Sequence, residues 1–297
     1  MRLINPSVNL IKQNPGLSGI YQIIEKIGRV CYKSEDKITE DSAKPFVERM
    51  IKSQHLAMLE HGTVYLAASD DSEDLIFWKV ANSPYSKVVC NDRANMLYVT
   101  TNLRVIAELN AWEVIDKYLC EPTELHIKRI CLKFITSIGV SREFNRHRVA
   151  SVAEQSTRYC NYTKDKFNNE LTFIKPSWLN IPTGHYAYWD GDWCDVNEMK
   201  IQLPGEEHKD IDAFLWTLED AEREYTLLIN KGWQPQQARE ILPLATATEV
   251  VYTAFEDDWK HFFDLRYRGI TGQPHPNAQQ VASMAYNLII KELGKAL

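Results

Sequence analysis

Apolar positions recur at helical spacing near the start of the chain. Leu17, Ile20, Ile23, Ile24, Ile27 and Val30 fall on one face, which predicts an amphipathic helix over 17–32. Asp41 and Ser42 are good N-caps, and a second helix is predicted from there to about Lys52. After Glu60-His61 the pattern changes to β-formers, and Thr63–Ala68 reads as a strand. Leu75–Val80 and Tyr85–Cys90 flank the turn cluster Asn82-Ser83-Pro84 and read as a hairpin. Leu103–Leu109 and Trp112–Leu119 predict short helices. Arg129–Ile138 reads as a buried strand, with a buried helix as the alternative.

Ser141 is read as the cap of a short helix that carries Arg142, Arg146, His147 and Arg148. Residues 160–207 are loop-rich, punctuated by Pro176, Pro182, Gly184, Gly191, Pro204 and Gly205. A long helix is predicted from Ile211 to Asn230, stopped by Lys231-Gly232. Pro235 opens the next helix, which runs to Leu242. Ala245–Ala254 reads as a strand, and helices follow over 256–267 and 277–293. Strands and helices mix without regular βαβ alternation, so the expectation is an α+β fold with a small sheet covered by helices.

The net charge of −6 argues against a nucleic-acid binder, which needs a basic footprint. No apolar stretch suits a signal peptide or a membrane span, so a cytoplasmic protein is expected. Six cysteines are scattered singly and read as buried or half-buried thiols, with no metal site suggested.

The densest chemistry runs from Arg146-His147-Arg148 to Arg158-Tyr159. Guanidinium groups suit phosphate because a planar fork meets two oxygens at once. The charge pattern taken alone favours a solvated, salt-bridged helix face. His61 and Arg266, each taken alone, read as a structural histidine and a helix C-terminal dipole partner.

Together these segments resemble the flavin-dependent thymidylate synthase family. Its signature is R-H-R, seven residues, then S, matched by Arg146-His147-Arg148 and Ser156, with Ser151, Glu154, Arg158 and Tyr159 in register. Glu60-His61, Ala238–Pro243 and Leu265-Arg266 match the family's E-H, A-R-x-x-L-P and L-R segments. The resemblance implies one domain over 1–297, with an insertion at about 70–127 whose Thr100–Arg104 reads as a turn capped by Asn102. It implies a homotetramer with shared sites that methylates dUMP to dTMP, using FAD, NADPH and methylenetetrahydrofolate. His61, Thr63, Arg146, His147, Arg148, Glu154 and His261 would meet the flavin. Glu143, Arg146, Glu154, Gln155, Ser156, Thr157, Arg158 and Arg239 would meet dUMP, some through backbone N–H groups. Arg266 would be catalytic, a fixed positive charge facing the uracil ring.

The chain departs from the family at Ala153 and Glu143, where Asn and often Gln are usual, and at Phe255-Glu256-Asp257 in place of Asn-x-Arg. The absence of a G-x-G-x-x-G turn argues against a Rossmann site. Two other readings compete: a non-catalytic nucleotide-binding protein on the same fold, and an RNA-binding protein. Arg266, Arg239 and Ser156 weaken the first, and the acidic charge weakens the second.

Overall fold

The structure, a computed structural model, describes residues 1–195, 199–201, 203, 209–295 and 297. The elements run β1 (Arg2–Ile4), β2 (Ser7–Ile11), α1 (Gly16–Val30), α2 (Ala43–Lys52), β3 (Thr63–Ser69), α3 (Leu75–Ala81), β4 (Lys87–Asn91), β5 (Met96–Asn102), α4 (Leu103–Glu108) and α5 (Trp112–Tyr118). They continue with β6 (Arg129–Ser137), α6 (Ile138–Phe144), β7 (Ser151–Glu154), β8 (Thr172–Ile174), β9 (Gly184–His185), β10 (Ala187–Trp189) and β11 (Asp192–Cys194). The last are α7 (Lys209–Asn230), α8 (Pro235–Ala238), β12 (Ala247–Phe255), α9 (Glu256–Arg266) and α10 (Pro276–Leu293).

The fold is α+β. Its centre is an antiparallel sheet in the order β2-β6-β12-β7. β6 and β12 pair from Ala247↔Ser137 to Phe255↔Arg129, so the strand reading of this apolar run holds. Alternation then sends side chains to two faces. Ile130, Leu132, Phe134, Val250 and Tyr252 pack with Phe144 of α6, Trp259 and Phe262 of α9, and Ala282 of α10. Cys131, Ala153 and Val251 pack on the other face with Ile20, Ile24 and Ile27 of α1. Both faces are covered, which explains why β12 reads as an almost unbroken buried run.

Three smaller sheets, β3-β5-β4, β8-β1-β9 and β10-β11, flank the central one. Beyond the single small sheet expected, β1 and β2 are short strands that carried no strong signal. β8 to β11 lie inside the loop-rich stretch, while Pro204 and Gly205 lie outside the described residues.

The expected hairpin is a correction. Leu75–Ala81 is helix α3, and β4 pairs with β5 instead. The deciding signal is Asp74, whose carboxylate accepts from the N–H groups of Ile76 and Phe77 at 3.0 and 3.1 Å. Phe77, Val80 and Ala81 then bury one helical face at i, i+3 and i+4. The Asn102 cap is as expected, accepting from Arg104 and Val105. The helix after Pro235 lasts only through Ala238 before tightening into a 3-10 turn over Arg239–Ile241. Cys90 is exposed, whereas the other five cysteines are buried or half-buried. Among the described residues no helix is long and apolar enough to cross a membrane.

Candidate active site

β6 runs straight into α6, and the cap of that helix is Ser137, whose Oγ accepts from the Val140 N–H. This corrects Ser141, which lies inside the helix. The helix stops at Phe144, so Arg146-His147-Arg148 forms a turn and not a helical face. The turn alternates sides. His147 is buried, while Arg146 and Arg148 are exposed and their side chains form no ion pair among the described residues. The charge run is therefore solvated but not salt-bridged.

Ile138, Ser141 and Arg142 share one face of α6 and line a cavity of about 590 Å³. Glu154, Gln155, Ser156, Thr157, Arg158 and Arg239, all expected at dUMP, line the same cavity. The Glu154 carboxylate accepts from Ser141 Oγ at 2.6 Å and Thr248 Oγ1 at 3.1 Å, which fixes its orientation. The backbone N–H groups of Gln155, Ser156 and Arg158 donate to Glu249 O, Cys31 O and Ser156 Oγ. These three donors belong to the fold. Arg158 lies over the Tyr159 ring at 5.2 Å, and Arg239 donates to Thr157 Oγ1 at 3.3 Å. Neither Arg142 nor Arg158 has an acidic partner among the described residues. Arg142 and Ser141 escaped assignment from sequence, although their helical register with Ile138 was available.

A second cluster surrounds Arg266 at the end of α9. Its guanidinium donates to His147 Nε2 at 3.1 Å, to the Glu143 carboxylate at 3.2 Å and to the Glu143 carbonyl at 2.7 Å. Arg266 therefore ties α9 to α6 and is more than a dipole partner. His147 packs on Phe262 and lies edge-on to His261, with ring centroids at 4.8 and 5.9 Å. Burial, then the charges of Arg266 and His261, hold the His147 pKa down to about 4.

His61 and Thr63 lie elsewhere. The His61 ring is wholly buried on the α1 face of the sheet, with Nδ1 at 2.8 Å from Thr253 Oγ1. Arg266 and His147 pack on the opposite face, so within one chain the sheet separates these groups. Phe255-Glu256-Asp257 is engaged internally. Lys87 of β4 pairs with Asp257 at 3.1 Å and lies over the Phe255 ring, while Glu256 pairs with Lys295. Among the cysteines nearby, burial pushes the Cys160 thiol up to about 11 and Cys131 up to about 12, which keeps both protonated.

A family model described as thymidylate synthase complementing protein matches residues 123–293. The chain belongs to this family. The match starts near the end of the expected insertion, so Glu60, His61 and Thr63 lie outside it. A flavin-dependent thymidylate synthase of Haloarcula marismortui is 28% identical over 210 residues, covering 68% of this chain and 80% of the relative. One from Pyrococcus furiosus is 31% identical over 121 residues, covering 41% and 38%. Among solved structures, a UMP/dUMP methylase from Streptomyces cacaoi bound with 5-Br UMP aligns at TM-score 0.45 and 15% identity, covering 98% of this chain and 92% of that one.

Two of the buried histidines, His61 and His147, give a first prediction. Burial and then the Arg129 charge pull His61 down to about 3. Each ring binds fewer protons folded than unfolded. Stability should therefore be complete above pH 6.5 and fall as pH drops from 6.5 toward 4 for His147 and toward 3 for His61. Ring chemical shifts should show both imidazoles neutral at pH 6, and a midpoint near 6.5 for either would contradict the assignment.

Proposed function

We propose that this chain methylates dUMP to dTMP in the cytoplasm, taking carbon from methylenetetrahydrofolate and hydride from FAD reduced by NADPH. The observation that carries the reading is the cavity of about 590 Å³ in which Arg142, Arg158 and Arg239 meet beside Glu154 and Ser156. That volume lies within the ~300–1,000 Å³ usual for small-molecule sites. Guanidinium groups suit a phosphate, and those of Arg142 and Arg158 have no acidic partner among the described residues, while the fixed Glu154 carboxylate suits the polar edge of a sugar or base. Family membership and the names of the curated relatives support the flavin and the reaction.

Arg146, His147 and Arg148 are the residues assigned to hold the flavin. The exposed guanidinium groups of Arg146 and Arg148 fit the pyrophosphate, and the neutral His147 between them fits a polar ring edge. Bound and reduced, the flavin supplies the hydride. Arg266 stands as the fixed cation for negative charge on the pyrimidine. Glu143 and His147 hold its fork in place. We read the assembly as a homotetramer in which another copy brings its own residues to the exposed Arg146–Val149 turn. That arrangement reconciles the two faces of the sheet, because His61 and Thr63 of one chain need not meet Arg266 of the same chain. We read residues 1–297 as one domain with an insertion at about 70–127, since α3, β4, β5, α4 and α5 build onto β3.

The purified protein should absorb as a flavoprotein, or gain that absorbance with FAD, and form dTMP from the four reactants. A colourless protein whose melting temperature ignores excess FAD would sink the flavin assignment. Flavin and dUMP binding without dTMP would favour the non-catalytic reading.

A further inference from the structure

The α1 face of the sheet holds another cavity, of about 260 Å³. His61, Thr63, Tyr65 and Arg129 line it, with Lys12 and Lys128 among its other wall residues. Two polar groups there lack partners. His61 is fully buried, and its Nε2 has no hydrogen-bond partner. Arg129 is half-buried, and its Nε is likewise buried and unpaired. The rest of its guanidinium meets only neutral acceptors: Glu60 O at 2.8 Å, Thr63 Oγ1 at 3.5 Å and Ser151 Oγ at 3.2 Å. The Phe255 ring covers it at 5.4 Å. Glu60, whose carbonyl it holds, turns its carboxylate to Arg104 instead, at 2.6 Å.

No carboxylate lies within ion-pair distance of Arg129 among the described residues. A cation withdrawn from water without a counter-ion is costly, and so is an unsatisfied buried donor. An anionic ligand relieves the first of these costs. His61 Nδ1 lies 2.8 Å from Thr253 Oγ1, and in the tautomer in which that hydroxyl donates, Nε2 carries the ring proton. Two acids also stand on the wall: Glu292, which is paired with Lys12 at 2.8 Å, and Glu121, on the segment after α5.

We propose that this cavity is an oxyanion site, in which Arg129 supplies the charge and the Thr63 hydroxyl a second contact. At about 260 Å³ the space is smaller than the ~300–1,000 Å³ of whole-ligand pockets, so it takes a phosphate or carboxylate at the end of a larger molecule. Which molecule carries that group rests on the methylation reading; that the cavity takes an oxyanion does not. Arg129 opens β6, where the inserted segment returns the chain to the central sheet.

The test starts with inorganic phosphate, comparing melting temperature in phosphate and chloride at equal ionic strength. Wild type should be stabilised and Arg129→Gln should not. Two ligand pairs then separate the sources: FMN against riboflavin, which differ by a phosphate, and folate against pteroate, which differ by a glutamate. Wild type should prefer the more highly charged member of one pair by at least about 10-fold, as a charged hydrogen bond allows. Arg129→Gln should lose that preference, and Arg129→Lys, which keeps the charge should Gln fail to fold, should lose part of it. Phosphate stabilisation and both preferences unchanged in the variants would overturn the site. An Arg129-dependent preference in a protein that forms no dTMP would support the site and count against the methylation reading alone.

Discussion

Arg266→Lys is expected to lower dTMP formation by at least about 10²-fold, the usual cost of removing one preorganised transition-state donor. Sequence position alone allows a humbler role, a helix C-terminal dipole partner worth about 0.3–1 kcal/mol that Lys would fill. The geometry argues otherwise. Arg266 directs Nε at His147 and both terminal nitrogens at Glu143, a planar arrangement that an ammonium cannot reproduce. Lys should therefore place its charge elsewhere and leave His147 without its donor. Loss of these partly buried bonds should cost about 1–3 kcal/mol, a fall of a few degrees in melting temperature. NADPH oxidation by the bound flavin should change far less, because that half-reaction needs no charge on the pyrimidine. Near wild-type dTMP formation in Arg266→Lys would remove Arg266 from the chemistry and bring forward Arg239 or Arg158.

The second large effect is expected at the phosphate. Arg158→Ala and Arg239→Ala should each raise the KM for dUMP by about 10–10²-fold, with kcat little changed, since each removes a charge-assisted contact made equally before and during reaction. Arg158 should be the more sensitive. It has no acidic partner to release on binding, whereas Arg239 lies 3.7 Å from Glu240. Deoxyuridine, which lacks the phosphate, supplies the control. Its weaker binding should be the same in wild type and both variants, so the preference for dUMP collapses only through the phosphate. Equal weakening of dUMP and deoxyuridine would instead mean that the substitutions distort the cavity, and Arg142 on the facing wall would become the phosphate ligand to test.

Much of the fold is legible in the chain. The period of Leu17 to Val30 and of 277–293 gives α1 and α10, because an apolar stripe at 3.6 residues has one efficient way to bury itself. The apolar runs at 129–138 and 245–254 become β6 and β12, and the family signature brings Glu154 to Arg158 to one cavity with Arg239. Local pattern fails where a single cap decides. Asp74 converts Leu75–Ala81 from strand to helix, and Ser137 instead of Ser141 starts α6 and so leaves Arg146-His147-Arg148 in a turn. What only tertiary structure decides is which side of the sheet each group faces. The pairing of Thr253 with Cys131 and Ser151 sets His61 and Arg129 on the α1 face, while Arg266 locks onto Glu143 across the other. Strand register is long-range information: a shift of one residue would exchange the two faces, and no local run of residues records it.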